Sequence, residues 1–396
     1  MAAPVILAEV LSAVVSARAE AAGQVTSQQQ YADLALRPAI ELERRTPLSS
    51  QQLSYAPSLS TTGVGEGGAQ EVILHNLRLS LRRGFRRGSL EMREDATYGQ
   101  QSYWAADPGA GGTDLSATPT EQASTPLGRL RQTITRESTQ TSLVGSYLWT
   151  RRLQSSVALG YFWGGGLAGR SRALYPLMSG PNVDGQARYR MGPRDAFTAS
   201  LAGYAYRAQR DLVTLPDPTL PELEGGTWTD RRIRLGTAQG DWSHQYSPRL
   251  EANVALGMAA SGKRDVLPVA VVGSTARLAA DDTRWAWQTT LSLRPDILPL
   301  QGRVDERIGL ASQATWQHRD WQGAFELGGS RSVLLQGDAR TTTLSAGVLA
   351  GLRLSRPVAL EWGVRVMRYQ LGDTWEPSRV TPFVALSYRE SFVTEN

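Results

Sequence analysis

The stretch Arg284–Arg294, RWAWQTTLSLR, decides the fold. Read with a period of two, it sets Trp285, Trp287, Thr289, Leu291 and Leu293 on one side and Arg284, Gln288, Thr290, Ser292 and Arg294 on the other. Successive side chains of a β-strand point to opposite faces, so this is a strand with one apolar and one polar face. Whether the apolar face meets a protein core or lipid separates a soluble sandwich from a membrane barrel.

The same pattern recurs along the chain. SVALGYFW (156–163) sends Val157, Leu159, Tyr161 and Trp163 one way, and RLEANVALGM sends Leu250, Ala252, Val254, Leu256 and Met258. VALEWGVRV (358–366) sets Val358, Leu360, Trp362, Val364 and Val366 against Glu361, Gly363 and Arg365. Segments of roughly a dozen residues exceed the five or six of soluble strands and suit tilted membrane strands, which need about nine to eleven. Tight turns at 46–50, 84–88, 150–152, 192–195, 247–249, 281–282, 318–320 and 355–357 alternate with Gly- and Pro-rich loops at 104–126, 164–182 and 211–226. Short turns on one rim and long loops on the other are the habit of an outer-membrane barrel. The fold class expected is therefore all-β, a transmembrane antiparallel barrel of about 16–18 strands with the apolar stripe toward lipid.

Composition agrees. Mean hydropathy is −0.30 and no apolar run is long enough for a spanning helix, so any crossing of a membrane is by strands. Cysteine is absent, which removes disulfides and thiolate metal sites. A net charge of +5 spread along the chain favours anionic partners without marking a nucleic-acid module. Residues 1–30 carry a short apolar section followed by Ala17-Arg18-Ala19 and Ala19-Glu20-Ala21, read as a signal peptide or N-terminal periplasmic segment, with the barrel over 31–396. Counting from Ala32 to Phe392 gives about seventeen strands, and an odd number does not close with both termini on one side. Either a strand hides within the first thirty residues or one assignment is false, the segments around 268–279 and 32–44 being the doubtful ones.

The last strand, VTPFVALSYRESF, carries the most specific resemblance. Phe392 with Tyr388, Leu386 and Val384 at alternate positions resembles the C-terminal signature of Gram-negative outer-membrane β-barrel proteins, although Glu390 takes one alternate position and VTEN follows. The resemblance implies an outer-membrane location among lipid and lipopolysaccharide, recognition of that strand by the barrel-assembly machinery, and possible envelope export partners.

Other motifs weigh less. GGGLAGRS (164–171) has P-loop-like spacing, but Arg170 replaces the lysine and the prolines downstream are expected to block the helix that would hold a phosphate. His75, His244 and His318 are far apart in sequence; a barrel-wall hydrolase would need a serine or carboxylate beside one of them, with Ser243 a candidate. Asp217 and Glu222 lack a calcium-ligand array. Arg82, Arg83, Arg86 and Arg87 sit on a tight turn without an aromatic platform, so no nucleic acid is expected. No cofactor and no metal are expected.

The polar faces carry the functional expectation. Alternation places Glu91, Arg93, Asp95, Arg136, Glu251, Arg284, Gln288, Arg294, Arg353, Glu361 and Arg365 toward the barrel interior. They either pair to stiffen the wall or line a hydrated channel, with an arginine excess biasing it toward anions. The function expected is a passive pore or the outer-membrane part of an export assembly for small or glycan-like solutes, not an enzyme; the alternatives are a non-conducting structural or adhesive barrel and the barrel-wall hydrolase.

Overall fold

The computed structural model describes residues 10–25, 30–65, 70–104, 131–167, 169–209, 229–262, 265–280, 282–298, 303–333, 341–371, 373–375 and 378–395. Nearly all of them are strand. In chain order these are β1 Val10–Val25, β2 Gln30–Thr46, β3 Ser49–Tyr55, β4 Ser58–Gly65, β5 Gln70–Phe85, β6 Gly88–Trp104, β7 Arg131–Leu148, β8 Leu153–Gly166, β9 Leu177–Arg190 and β10 Asp195–Gln209. There follow β11 Asp230–Ser247, β12 Leu250–Ser261, β13 Asp265–Ala280, β14 Thr283–Leu298, β15 Arg303–His318, β16 Trp321–Ser332, β17 Thr341–Arg353, β18 Val358–Leu371, β19 Thr374–Trp375 and β20 Arg379–Glu395. The one helix among the described residues is α1, Gly169–Leu174.

The twenty segments make a closed barrel of 18 staves. β3 and β4 are halves of one stave: Ile40 pairs Tyr55 and Leu36 pairs Leu59 in unbroken register. Pro57 has no N–H for the ladder, and Asn76 spans the gap by accepting from Ala56 N at 2.9 Å and donating to Ala56 O at 3.0 Å. β19 is a two-residue return against the end of β18. Every stave is antiparallel to its neighbours, and β1 closes the sheet against β20, Ala17 opposite Tyr388 and Ala13 opposite Phe392.

β1 resolves the parity problem. Val10–Val25, within the segment read as a leader or periplasmic segment, forms part of the wall, so the wall includes residues before residue 31. The two doubtful segments are strands as well, β2 and β13. Both ends of the barrel chain lie on the rim of the short turns, as an even stave number requires. The loops flanked by Trp104 and Arg131 and by Gln209 and Asp230 leave from the opposite rim; most of the residues read as loops 104–126 and 211–226, including Asp217 and Glu222, lie outside the described residues.

Two observations tell the outside of the sheet from the inside. Among the described residues, charged and polar side chains of next-nearest staves hydrogen-bond over the stave between them on one face: Arg18 of β1 reaches Glu361 of β18 across β20, and Gln322 of β16 reaches Glu361 across β17. Such convergence belongs to the concave face. The convex face carries the large apolar residues, with Leu201 64%, Leu256 63%, Leu159 54% and Leu291 49% exposed. A sandwich would bury these residues between sheets. Trp285 and Trp287 stand on the outside, so the apolar face of their strand meets lipid rather than a protein core.

Aromatic pairs collect near the short-turn rim: Tyr147 on Trp149 edge to face at 4.8 Å, Trp285 beside Trp316 at 6.3 Å, and Trp321 on Trp362 edge to face at 6.0 Å. This is the amphipathic girdle of a membrane interface. Most staves run 12 to 18 residues, longer than a bilayer needs. Their far ends turn polar outside as well, as in the Arg207–Asp230 ion pair of 2.6 Å.

A helix forms where the sequence reading expected none. After β8, α1 lasts six residues and Tyr175 N closes it on Ser171 O at 2.8 Å, before Pro176 ends it. Ser171 Oγ accepts from Thr135 N at 3.1 Å and Gly166 N donates to Tyr175 O at 2.8 Å, so the segment is tied to β7 and β8. Gly165 makes this return possible: at φ 156°, a Cβ there would collide with the Pro176 carbonyl and the Leu177 backbone. Gly165→Val is therefore expected to destabilise the barrel by about 2 kcal/mol or more, read as a lower urea midpoint in lipid vesicles.

Candidate functional site: the charged inner wall

The inner wall is built by alternation, so each stave contributes every second residue to it. Small residues decide which of these can meet across a stave. Arg18 Nη1 lies 2.5 Å from Glu361 Oε2 because the intervening inner residues of β20, Ala385 and Ser387, leave the path open. Gly351 does the same on β17, where a Cβ would come within 2.9 Å of the Gln322 stem, and Gln322 Nε2 donates to Glu361 Oε1 at 3.3 Å. Arg18 Nε and Arg37 Nη1 both reach Glu20, at 3.3 and 3.2 Å. The result is a hydrogen-bonded band from β2 through β1 and β18 to β16.

Further pairs stiffen the same wall. Arg365 Nη2 lies 3.6 Å from Glu326 Oε2 over Gly347, and Gln313 also donates to Glu326 at 3.3 Å. Arg93 pairs with Glu91, which accepts from Ser80 at 3.1 Å, and Arg78 pairs with Asp95 at 2.5 Å. Gln52 donates to Glu41 at 2.5 Å and Asn253 to Asp241 at 3.2 Å.

The residues singled out in the sequence thus fall into two groups. Register puts all of Glu91, Arg93, Asp95, Arg136, Glu251, Arg284, Gln288, Arg294, Arg353, Glu361 and Arg365 on the concave face. Glu91, Arg93, Asp95, Glu361 and Arg365 are paired as above, and the Arg136 guanidinium lies 5.9 Å from the centre of the Tyr175 ring. Arg284, Arg294 and Arg353 meet no carboxylate within 4.0 Å among the described residues, and neither does Glu251 meet a cation. Arg188 and Arg277 join the unpaired arginines. Arg18 and Glu20 lie in residues 1–30, read as a leader or periplasmic segment, although their alternation with Ser12 and Ser16 is present in the sequence, and Arg37 lies in the doubtful segment 32–44.

One sector of the wall is different in kind. On the loop-side half of β8 to β13, inner residues Phe162, Met178, Tyr206, Ile233, Leu235, Leu267 and Val269 are buried together, Tyr206 edge to face on Phe162 at 6.0 Å. The inner residues of this sector are therefore closed to solvent, whereas most of the charged ones are not.

The histidines stand apart. Tyr55 Oη and His75 Nδ1 share a hydrogen bond of 2.8 Å, as do Thr283 Oγ1 and His318 Nδ1. His244 Nδ1 lies 2.7 Å from Asp195 Oδ1, which supplies the carboxylate a hydrolase would need. Ser243, however, turns to the inner face, while His244 faces out in a stack with Trp242 and Tyr246. The outward residues of the final stave, Val384, Leu386, Tyr388 and Phe392, are all exposed beside β1, and Tyr388 donates its hydroxyl proton to Glu390.

Comparison with known proteins agrees with this architecture. Residues 3–381 match the profile of the EpsX exopolysaccharide export family. No protein of curated function matches in sequence. The outer membrane protein OpdK from Pseudomonas aeruginosa superposes with a TM-score of 0.50 at 11% identity, covering 96% of this chain and 99% of that one. The siderophore receptor PirA from Acinetobacter baumannii gives 0.52 at 8% identity, covering 95% of this chain and 80% of that one. At such identities the likeness concerns the fold. An apolar outer belt with an aromatic girdle on a closed sheet places this chain in an outer membrane, with a part in transport.

Proposed function

Because the chain belongs to the EpsX exopolysaccharide export family, we propose that the barrel is a hydrated passive conduit by which an acidic exopolysaccharide leaves the cell. The observation that carries the reading is the set of inward arginines without carboxylate partners among the described residues, including Arg188, Arg277, Arg284, Arg294 and Arg353. Paired charges cancel at a distance, so the fixed charge felt by a permeating solute is set by the unpaired groups, the arginines being opposed by Glu41, Asp184, Asp241 and Glu251. A sheet of this stave number is wide enough to hold water. A membrane wall with guanidinium groups turned inward needs that water, since among the described residues no other group pairs with them.

The pairing also ranks the tests. Wild type in a planar bilayer under a potassium chloride gradient should give a reversal potential on the anion side. Arg284→Glu combined with Arg353→Glu should move it to the cation side, because neither charge is compensated. Arg365→Glu should do so too, by setting a second carboxylate beside Glu326. A wild-type channel selective for cations, or one indifferent to all three changes, would remove the basis for an anion conduit. An absence of conductance would favour the structural barrel instead.

A further inference from the structure

The unpaired arginines are not evenly spread. Arg277 on β13 and Arg284 on β14 both stand on the inner wall a few residues above the short-turn rim, and the turn residue Arg249 is tied to them, its carbonyl accepting from Arg277 N at 2.6 Å. Gln317 of β15 is directly opposite Arg284. Between and above these groups the inner residues Ala286, Thr315 and Ala324 are small, which leaves a hollow of about 630 Å³. The nearest inward carboxylate by register is Glu251, opposite Thr275, and it forms no ion pair with them. Asp282 in the turn below is taken by Arg319 at 3.1 Å.

We propose that Arg249, Arg277 and Arg284, with Gln317, form a binding subsite for the carboxylates of successive uronic-acid residues at the periplasmic mouth of the barrel. The inference rests on the conduit reading and adds where the polymer is first held. A guanidinium offers a planar pair of donors that fits a carboxylate. Arg277 and Arg284 stand diagonally on adjacent staves, Arg277 opposite Ala286 and Arg284 opposite Ala279, about 7–8 Å apart, within reach of two long side chains, so a chain lying across the staves meets cations at neighbouring residues. The side chains are exposed and uncompensated, and the floor of alanines gives a ring room to lie flat. The position at the short-turn rim faces the side from which an exported chain arrives.

The test is isothermal titration of the full-length purified barrel in detergent with a uronic-acid hexasaccharide, and with maltohexaose as the neutral counterpart. Wild type should bind the acidic oligomer and not the neutral one. Arg277→Gln with Arg284→Gln should weaken binding about tenfold or more. Arg294→Gln, also inward and unpaired but near the opposite rim, should change it less than about twofold. If the double variant does not fold, as judged by heat-dependent gel migration, Arg284→Gln alone should weaken binding about threefold. Unchanged affinity in these variants, equal loss with Arg294→Gln, or equal binding of maltohexaose would overturn the subsite. Channel recordings on the same preparations keep the two readings apart: anion-selective current without hexasaccharide binding removes only the subsite, and binding that depends on Arg277 and Arg284 in a barrel without current upholds the subsite and removes the conduit.

Discussion

A variant lacking Val10–Val25 should form no barrel at all. The stave β1 is hydrogen-bonded along nearly its whole length on both sides, to β2 and to β20. Without it seventeen staves remain, and the two new edges cannot simply meet. β2 and β20 are both antiparallel to β1 and so run in the same direction, which would force a parallel seam into an otherwise antiparallel sheet. An open edge is worse, because each unsatisfied N–H or C=O in hydrocarbon costs several kcal/mol and a whole ladder would be unsatisfied on each edge. The inner band would also lose the bridging guanidinium of Arg18 and the Glu20 carboxylate, leaving Arg37 and Glu361 without these partners. Wild type should migrate differently in unheated and boiled gel samples, and the deletion variant should show one unfolded position. The mature wild-type protein should retain residues 10–25 by mass spectrometry. A deletion variant that still gave the folded band would mean that β1 does not close the wall.

What the sequence could and could not disclose follows from what alternation encodes. It reports which face a side chain takes, and every outward residue of RWAWQTTLSLR that carries a large apolar group is outward in the barrel. The eight short turns were legible because Gly, Pro and charged residues cluster where strands reverse. β1 escaped because its outward row, Leu11, Ala13, Val15, Ala17, Ala19 and Ala21, consists mostly of small residues that read equally as a leader, and only the parity of the stave count betrayed it. The pairing of charges was not legible at all. Arg18 and Glu361 are 343 residues apart and meet across a stave that neither belongs to, so the contact depends on closure and on the small residues between them. Hence the inward set could be written down from sequence, whereas its division into paired and unpaired members, which decides the field inside the lumen, required the fold. The short helix α1 is a similar case: the prolines that seemed to forbid it only limit its length.

The inside-out arrangement makes a prediction at adjacent residues that no soluble fold shares. Leu201 lies near the middle of β10 on the outer face, between Ala238 of β11 and Gly185 of β9, and is 64% exposed. Ser200 precedes it on the inner face, between Gln239 and Gln186. Leu201→Arg puts a guanidinium into hydrocarbon near mid-belt, where such a charge in a barrel costs about 2–4 kcal/mol. Snorkelling relieves part of this, but the belt extends on both sides through Phe197 and Ala205, so the side chain has no short way to water. Ser200→Arg adds the same charge and bulk to a polar, hydrated wall, where a substitution away from packed contacts is worth about 0.5 kcal/mol or less. Urea unfolding in lipid vesicles should therefore separate two variants that differ only in which neighbour was replaced, with Leu201→Arg the less stable by at least about 2 kcal/mol. In a soluble protein the ordering would reverse or vanish, since an exposed leucine would accept arginine at little cost. Equal stabilities for the two variants would show that the apolar face of β10 does not meet lipid, and the assignment of outside and inside for the whole wall would have to be exchanged or abandoned.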